Sequence, residues 1–114
     1  MSSRRRRLAS ERQAQIFAAL GDQTRLSLVA RLSDGTARSI TDLSDDHKLT
    51  RQAITKHLHV LEDVGLVRSV RSGRESIFEL DTRPLNELQD YLSRVSSQWD
   101  DALARLKAFV EDET

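Results

Sequence analysis

The chain has 114 residues, enough for one domain with a modest core, and it contains no cysteine, which excludes a disulfide framework and a thiolate metal site. No apolar run approaches the length of a membrane-spanning helix, and no apolar stretch follows the arginines at 4–7, so we expect a cytoplasmic protein with no signal peptide and no membrane partner. The net charge is zero, but residues 1–83 hold 15 basic against 11 acidic side chains and residues 84–114 hold 3 against 7, which indicates different partners for the two parts.

The predicted elements begin with a basic segment and two helices. Residues 1–10 are expected to form a basic, flexible N-terminal arm, and residues 11–112 a single domain. A first helix is predicted over residues 11–20, followed by a glycine that ends it. Asp22 is of a residue type that caps helices, and it predicts a second helix that closes at an Asp-Gly pair ending at Gly35.

A short helix, a turn and a longer helix are predicted next. Ser39 or Thr41 can start the third helix, and Thr50 is a suitable N-cap for the fourth, which we place at 50–64. A short helix joined by a tight turn to a longer amphipathic one is typical of a helix-turn-helix, here at about 39–65.

Two strand-like segments and a last helix complete the chain. Residues 66–71 and 75–80 flank a Ser-Gly-Arg turn signal and predict a two-stranded wing at 66–81. A proline in the first turn favours a last helix over 84–111. The order α-α-α-α-β-β-α predicts a mainly α (α+β) winged helix-turn-helix fold.

The fourth helix has one face that suits DNA. At 100° per residue its apolar side chains share one side, and hydrogen-bonding and cationic groups occupy the other over two turns. Arginine can donate to two acceptors of guanine, glutamine can pair with adenine, and lysine suits a phosphate. Residues 51–60 contain no acid, whereas an ordinary surface helix mixes both signs of charge. The predicted DNA-binding residues are Thr50, Arg51, Gln52, Thr55, Lys56 and His59 in the helix and Arg68, Arg71 and Arg74 in the wing.

The three histidines are candidate metal ligands, but their positions suit a metal site to different degrees. His57 interrupts the apolar side of the fourth helix, so we expect a core or half-buried ring with local hydrogen bonds. His57 and His59 are two residues apart and point to different faces, so they cannot share one ion. His47 lies beside Asp45 and Asp46, which leaves a weak metal site open there. No cofactor, no other metal site and no catalytic motif is predicted, so the chain is not expected to be an enzyme.

The last helix carries a dimerisation pattern. Apolar residues recur at alternating spacings of three and four over residues 85–109, as in a coiled-coil seam. A helix of this length spans roughly 40 Å, more than one small domain covers easily, so we favour self-association over packing within one chain. A two-fold dimer places two reading helices about one DNA turn apart and requires an inverted-repeat operator. The predicted interface residues are Ile16, Phe17 and Leu20 in the first helix and Leu88, Leu92, Val95, Trp99, Leu103, Leu106 and Phe109 in the last.

Three segments resemble the ArsR family of winged-helix repressors. Residues 20–26, LGDQTRL, resemble its "ALGDPTRLxIL" opening. Residues 49–61, followed by Gly65-Leu66-Val67, resemble its "LSQSTVSRHLKVLREAGLV" helix, and residues 71–80 resemble its "REGRxxxYxL" wing. The resemblance covers most of 14–110 and implies a homodimer formed by the first and last helices, repression by occupying a promoter, and DNA contacts on the fourth helix and wing.

The sequence departs from the metal-sensing members of that family. Those members carry Cys-x-Cys in the third helix or His and Asp ligands in the last, whereas here the third helix reads Ser39-Ile40-Thr41-Asp42-Leu43 and the last contains no histidine. The resemblance is therefore to a non-metal-sensing member with an unknown effector. We expect a sequence-specific, homodimeric repressor of transcription. Two alternatives stay open: a winged-helix module that binds another protein, and a metal-responsive regulator using His47 with Asp45 or Asp46.

Overall fold

The computed structural model describes residues 3–112 of the chain. Within this range five helices and three strands follow one another. They are α1 (Ser3–Leu20), α2 (Gln23–Leu32), β1 (Arg38–Ser39), α3 (Ile40–His47), α4 (Arg51–Asp63), β2 (Val67–Ser72), β3 (Glu75–Leu80) and α5 (Arg83–Asp112). This is the predicted winged helix-turn-helix fold with a long C-terminal helix.

The first helix begins earlier than the sequence suggested. The expected arm at residues 1–10 is, from Ser3 onward, the first part of α1, while Met1 and Ser2 lie outside the described residues. Arginine is a good helix former, and neither glycine nor proline separates the arginine run from the rest of the helix. The prediction of a separate arm is therefore wrong from Ser3 onward, and the arginines stand on an exposed helical surface.

Local side-chain caps fix the starts of three helices. In each, a side-chain oxygen of the residue before the helix accepts a hydrogen bond from a backbone N–H three residues further on, which satisfies one of the donors left free at a helix start. The pairs are Asp22 with Arg25 at 3.0 Å, Ser39 with Asp42 at 3.1 Å and Thr50 with Ala53 at 3.1 Å. The predicted caps Asp22 and Thr50 are confirmed, and of the two candidates for α3 the structure uses Ser39.

The wing belongs to a three-stranded antiparallel sheet in the order β1-β3-β2. The sequence prediction of two strands missed β1, which is two residues long and too short to show an alternating pattern. Arg38 and Ser39 pair with Phe78 and Ile77 of β3, and this joins the wing to the start of α3. The two longer strands are connected by a two-residue loop, in which Gly73 has a φ of +61°.

The hydrophobic core lies between α1–α4, the sheet and the first turns of α5. Ile16 is fully buried and Leu88 almost so within a single chain. The prediction that these two residues lie in a dimer interface is therefore corrected, because the monomer already covers both side chains. The reason is that α1 packs against α2, α4 and α5 at once, so its inward side is used within the monomer. The largest fully buried side chains are Ile16, Leu28, Leu32, Leu43, Ile54, Leu58, Leu61, Leu66 and Val67.

The long α5 makes the chain elongated. Its radius of gyration is 19.4 Å and its principal extents are 70 × 33 × 21 Å, whereas a compact domain of this length has a radius of gyration of about 13 Å. The distal part of α5 therefore projects beyond the core, and its apolar side chains are left to solvent. Among the described residues, none of the helices has the length and apolar character needed to cross a membrane.

Candidate nucleic-acid interface

The helix α4 turns one face to the core and the other outward. Ile54, Leu58 and Leu61 are fully buried and anchor the inner face. The outer face carries the groups predicted to bind DNA, with half-buried Thr55 among exposed neighbours. The exposed members are Thr50, Arg51, Gln52, Lys56 and His59. Donors and cations therefore stand together on one accessible side of a helix whose other side is fixed by packing.

A tight turn sets the direction of α4 relative to α3. Lys48 adopts a left-handed conformation with a φ of 53°, which reverses the chain after α3. The Leu49 N–H donates to the Ser44 carbonyl at 3.2 Å, and the buried Ser44 hydroxyl donates to the Leu49 carbonyl. Sequence reasoning did not find this role of Ser44, since a serine within a short helix gives no signal that it bridges the following turn.

Thr55 is partly committed to its own helix. Its hydroxyl donates to the Arg51 carbonyl at 2.7 Å, one turn earlier. The proton of that hydroxyl is then occupied, and the oxygen lone pairs and the methyl group remain for a base edge. A contact from Thr55 would therefore be as an acceptor or as an apolar contact to a thymine methyl group.

The three wing arginines differ in their surroundings. Arg68 donates from Nε to a carboxylate oxygen of Glu79 at 2.6 Å, across the strand pair that aligns the two residues. Arg71 is exposed and makes only a long contact, at 3.5 Å, to the Gly73 carbonyl. Arg74 is exposed at the tip, and no salt bridge involves it within residues 3–112. Arg71 and Arg74 are thus available as cations, whereas the charge of Arg68 is already compensated.

His57 is half-buried, as predicted from its position on the apolar side of α4. Its Nδ1 lies 3.7 Å from a carboxylate oxygen of Asp22, the residue that caps α2. The backbone N–H of Arg25, together with the charges of Arg25 and His57, lowers the pKa of the Asp22 carboxyl. This contact links α4 to the junction between α1 and α2.

The groups of the possible metal site at His47 have other partners. Nδ1 of His47 lies 2.8 Å from the Leu43 carbonyl, to which it must donate, and Nε2 shares a hydrogen bond of 3.0 Å with the Ser27 hydroxyl. Asp46 accepts a 2.7 Å hydrogen bond from Arg31, and this bond lowers the pKa of the Asp46 carboxyl. The part of the chain that the structure describes contains no group of three or more His, Cys, Asp or Glu side chains placed to hold a metal ion. These contacts give the metal-responsive alternative no support.

A continuous apolar surface runs along α5 and the adjacent side of α1. Next to the core, Phe17 packs edge-on against Tyr91 with ring centroids 6.1 Å apart, and Phe17 and Leu20 line an open groove of about 710 Å³ beside Leu92. Val95 and Leu20 are half-buried. Further along, the predicted interface side chains stand 51 to 65% exposed: Leu92, Trp99, Leu103, Leu106 and Phe109. The surface is a single stripe of large apolar groups on a projecting helix.

Comparisons with known proteins agree with this geometry. Residues 20–70 match the family model described as "Helix-turn-helix domain". The HTH-type transcriptional regulator YuzN of Bacillus subtilis is 42% identical over 79 residues, which cover 64% of this chain and 86% of that protein. The arsenical resistance operon repressor of the same organism is 30% identical, over 65% of this chain and 70% of that protein. The solved structure of an ArsR-like transcriptional regulator from Rhodococcus sp. RHA1 is 37% identical, covers 88% of this chain and 93% of its own, and superposes with a TM-score of 0.77.

Proposed function

Because the chain belongs to the ArsR-like family of winged helix-turn-helix transcriptional regulators, we propose that it is a homodimeric repressor that binds an inverted-repeat operator. Proteins of this family are DNA-binding regulators and not enzymes. In the proposed complex, α4 enters the major groove, the wing lies along the neighbouring backbone, and the protein acts in the cytoplasm. The observation that carries the proposal is the outward face of the first two turns of α4, which is polar or cationic and free of acids, since Glu62 and Asp63 come only in the last turn.

The chemistry of that face supports sequence-specific binding. Gln52 and His59 offer hydrogen bonds to base edges, and each well-placed bidentate contact discriminates by about 1–3 kcal/mol. Lys56, Arg71 and Arg74 offer charge to phosphates. Arg68 contributes less, because Glu79 already neutralises it at 2.6 Å. The same helix therefore combines groups that select a sequence with groups that attract any duplex.

The apolar stripe on α5 supports the dimer. Exposed apolar patches of this extent on a small chain mark interaction surfaces, and the spacing of three and four residues suits a second copy of the same helix. Pairing about a two-fold axis presents α4 twice, about 34 Å apart, which is one turn of DNA. The polar face of α4 in each protomer then reads one of two half-sites, which have opposite orientations.

The sign of regulation is proposed from the likeness to the arsenical resistance operon repressor. A dimer seated on a promoter excludes the transcription machinery from the same DNA. The chain contains no cysteine, so its effector is not a metal held by protein thiolates.

The direct test is a binding titration of the full chain with the DNA upstream of its own gene and with a scrambled duplex of the same composition. We expect at least about 1,000-fold preference for the upstream DNA at physiological salt. Gln52→Ala should reduce this preference about tenfold, while Gln23→Ala, a matched change on an exposed residue of α2, should leave it unchanged. Equal affinity of the wild type for both duplexes at every salt concentration would contradict the proposal.

The repressor assignment is tested separately by transcription in vitro from that promoter. Transcript yield should fall as the operator becomes occupied. An increase in yield at the same occupancy would make the protein an activator and would refute this part of the proposal.

A further inference from the structure

A small polar cleft lies where the helix-turn-helix meets the wing. It has a volume of about 310 Å³, and residues from α3, the first turn of α4 and the wing form its walls. Arg51 of α4 and Arg74 of the wing loop both line it, as do Thr41 and Ser76. Two arginines that are 23 positions apart in the sequence therefore share one space large enough for a phosphate group.

The charges in this cleft are not balanced by the protein. Within residues 3–112 neither guanidinium forms an ion pair or a side-chain hydrogen bond, and both side chains are exposed. Glu75 is the one carboxylate among the described residues that line it, so two positive charges face one negative charge. An anion in the cleft would be attracted by both guanidinium groups. The Thr41 and Ser76 hydroxyls lie in the same walls and can donate to its oxygens.

We propose that Arg51 and Arg74 bind one and the same DNA phosphate, so that Arg51 positions α4 on the backbone and does not read a base. This inference rests on the proposed function and changes the role that the sequence suggested for Arg51. A phosphodiester presents two oxygens that match the planar fork of a guanidinium, and contacts to phosphate fix orientation without carrying sequence information. Base discrimination then falls to Gln52, Thr55 and His59, which lie further round α4 and outside the cleft.

The first experiment separates positioning from reading. The wild type, Arg51→Ala and Gln52→Ala are each used to select from a library of random duplexes, and their affinities are measured for the operator and for a scrambled duplex. Arg51→Ala should lower both affinities by the same factor, about tenfold, as expected when one charge-assisted hydrogen bond is removed. Its base-preference profile should match that of the wild type, whereas Gln52→Ala should lose preference at one position of each half-site.

The second experiment tests whether the two arginines share a phosphate. Arg51→Ala and Arg74→Ala should each reduce the slope of log affinity against log salt, by up to about 0.9, which is the value for one neutralised phosphate. The double variant should lose less affinity than the product of the two single losses, because both changes act at one phosphate. Arg68→Ala is the matched control on the same wing, and it should have a smaller effect because Glu79 already compensates that arginine.

A third variant strengthens binding and so cannot be explained by misfolding. Glu75→Gln removes the carboxylate from the cleft, and it should raise the affinity for operator and scrambled duplex alike by about three- to fivefold at low salt. An unchanged or lower affinity of Glu75→Gln would count against an anion in the cleft.

The outcomes distinguish this inference from the proposed function. A changed base-preference profile for Arg51→Ala, or losses that simply multiply in the double variant, would overturn the shared phosphate while leaving the repressor proposal intact. If the wild type binds DNA without preference, the repressor proposal fails, and the double-variant comparison on scrambled duplex still decides the shared phosphate. If the wild type binds no DNA, both are wrong.

Discussion

Replacement of Trp99 by alanine tests the dimer through its largest exposed apolar group. The indole is 65% exposed in the middle of the α5 stripe, between Leu92 and Leu106, which are themselves more than half exposed. In the proposed dimer it packs against the partner's α5. Trp99→Ala should therefore weaken association and leave the monomer fold unchanged.

The size of the effect follows from the area that remains to be buried. Aromatic side chains bury about 150–250 Å² when fully enclosed, so the exposed 65% of Trp99 corresponds to about 100–160 Å². At about 25 cal/mol per Å² this is an upper limit of about 2.5–4 kcal/mol per protomer. Alanine keeps the β-carbon, so we expect a loss of about 2 kcal/mol per protomer and about 4 kcal/mol per dimer, which raises the dimer dissociation constant roughly 1,000-fold.

Sedimentation equilibrium over a wide range of protein concentrations measures that constant. Asp101→Ala is the matched control, since it shortens an exposed polar side chain of the same helix two residues away. Circular dichroism should report the same helix content for wild type and both variants. A Trp99→Ala protein with the dissociation constant of the wild type would refute the assignment of this stripe as the interface.

Three further predictions concern local contacts at the two ends of α4 and at the start of α5. Thr50→Ala removes the cap that accepts from the Ala53 N–H at 3.1 Å and should lower the free energy of unfolding by about 1 kcal/mol in urea titrations. Thr50→Ser should keep most of this stability, because its hydroxyl can accept the same hydrogen bond. Equal losses for the two variants would contradict the capping role of Thr50. Gly65→Ala places a β-carbon at a φ of +79° directly after α4 and should cost about 1 kcal/mol in the same assay, so an unaltered urea midpoint would argue against the left-handed turn. Side-chain and backbone hydrogen bonds from Arg83 lower the pKa of the Asp81 carboxyl from 3.8 to about 2 in the folded chain. The ionised carboxylate therefore stabilises the folded state fully above the pKa of the unfolded chain. This stabilisation is lost as the pH falls through the pKa of the folded chain. Between these two pH values the stability of Asp81→Asn should therefore fall less steeply than that of the wild type, and parallel curves would exclude the Asp81–Arg83 pair as the cause.

Local signals in the sequence were sufficient for the helices and their starts. Asp22 and Thr50 could be recognised as caps because a cap needs only its own side chain and the N–H three residues later. The outward position of Gln52 and Lys56 followed from helical periodicity, since the opposite side of α4 is apolar. Half-burial of His57 followed from the same pattern.

Features that depend on distant parts of the chain could not be predicted in this way. The strand β1 exists because Arg38 and Ser39 meet β3 about 40 positions later, and two residues show no periodicity of their own. Ile16 carries the same apolar signal as Phe17, and only the packing of α1 on its neighbours buries one and leaves the other 38% exposed. The presence of Arg51 and Arg74 in one cleft depends likewise on where the wing lies relative to α4.

The most direct test of the central claim is a hydroxyl-radical footprint of the full chain on the operator selected from random duplexes. Two copies of α4, presented by one dimer, should protect two patches on the same face of the duplex, about 10 base pairs apart and related by two-fold symmetry. A single protected patch, or uniform protection along the duplex, would show that the chain does not read DNA as a symmetric pair.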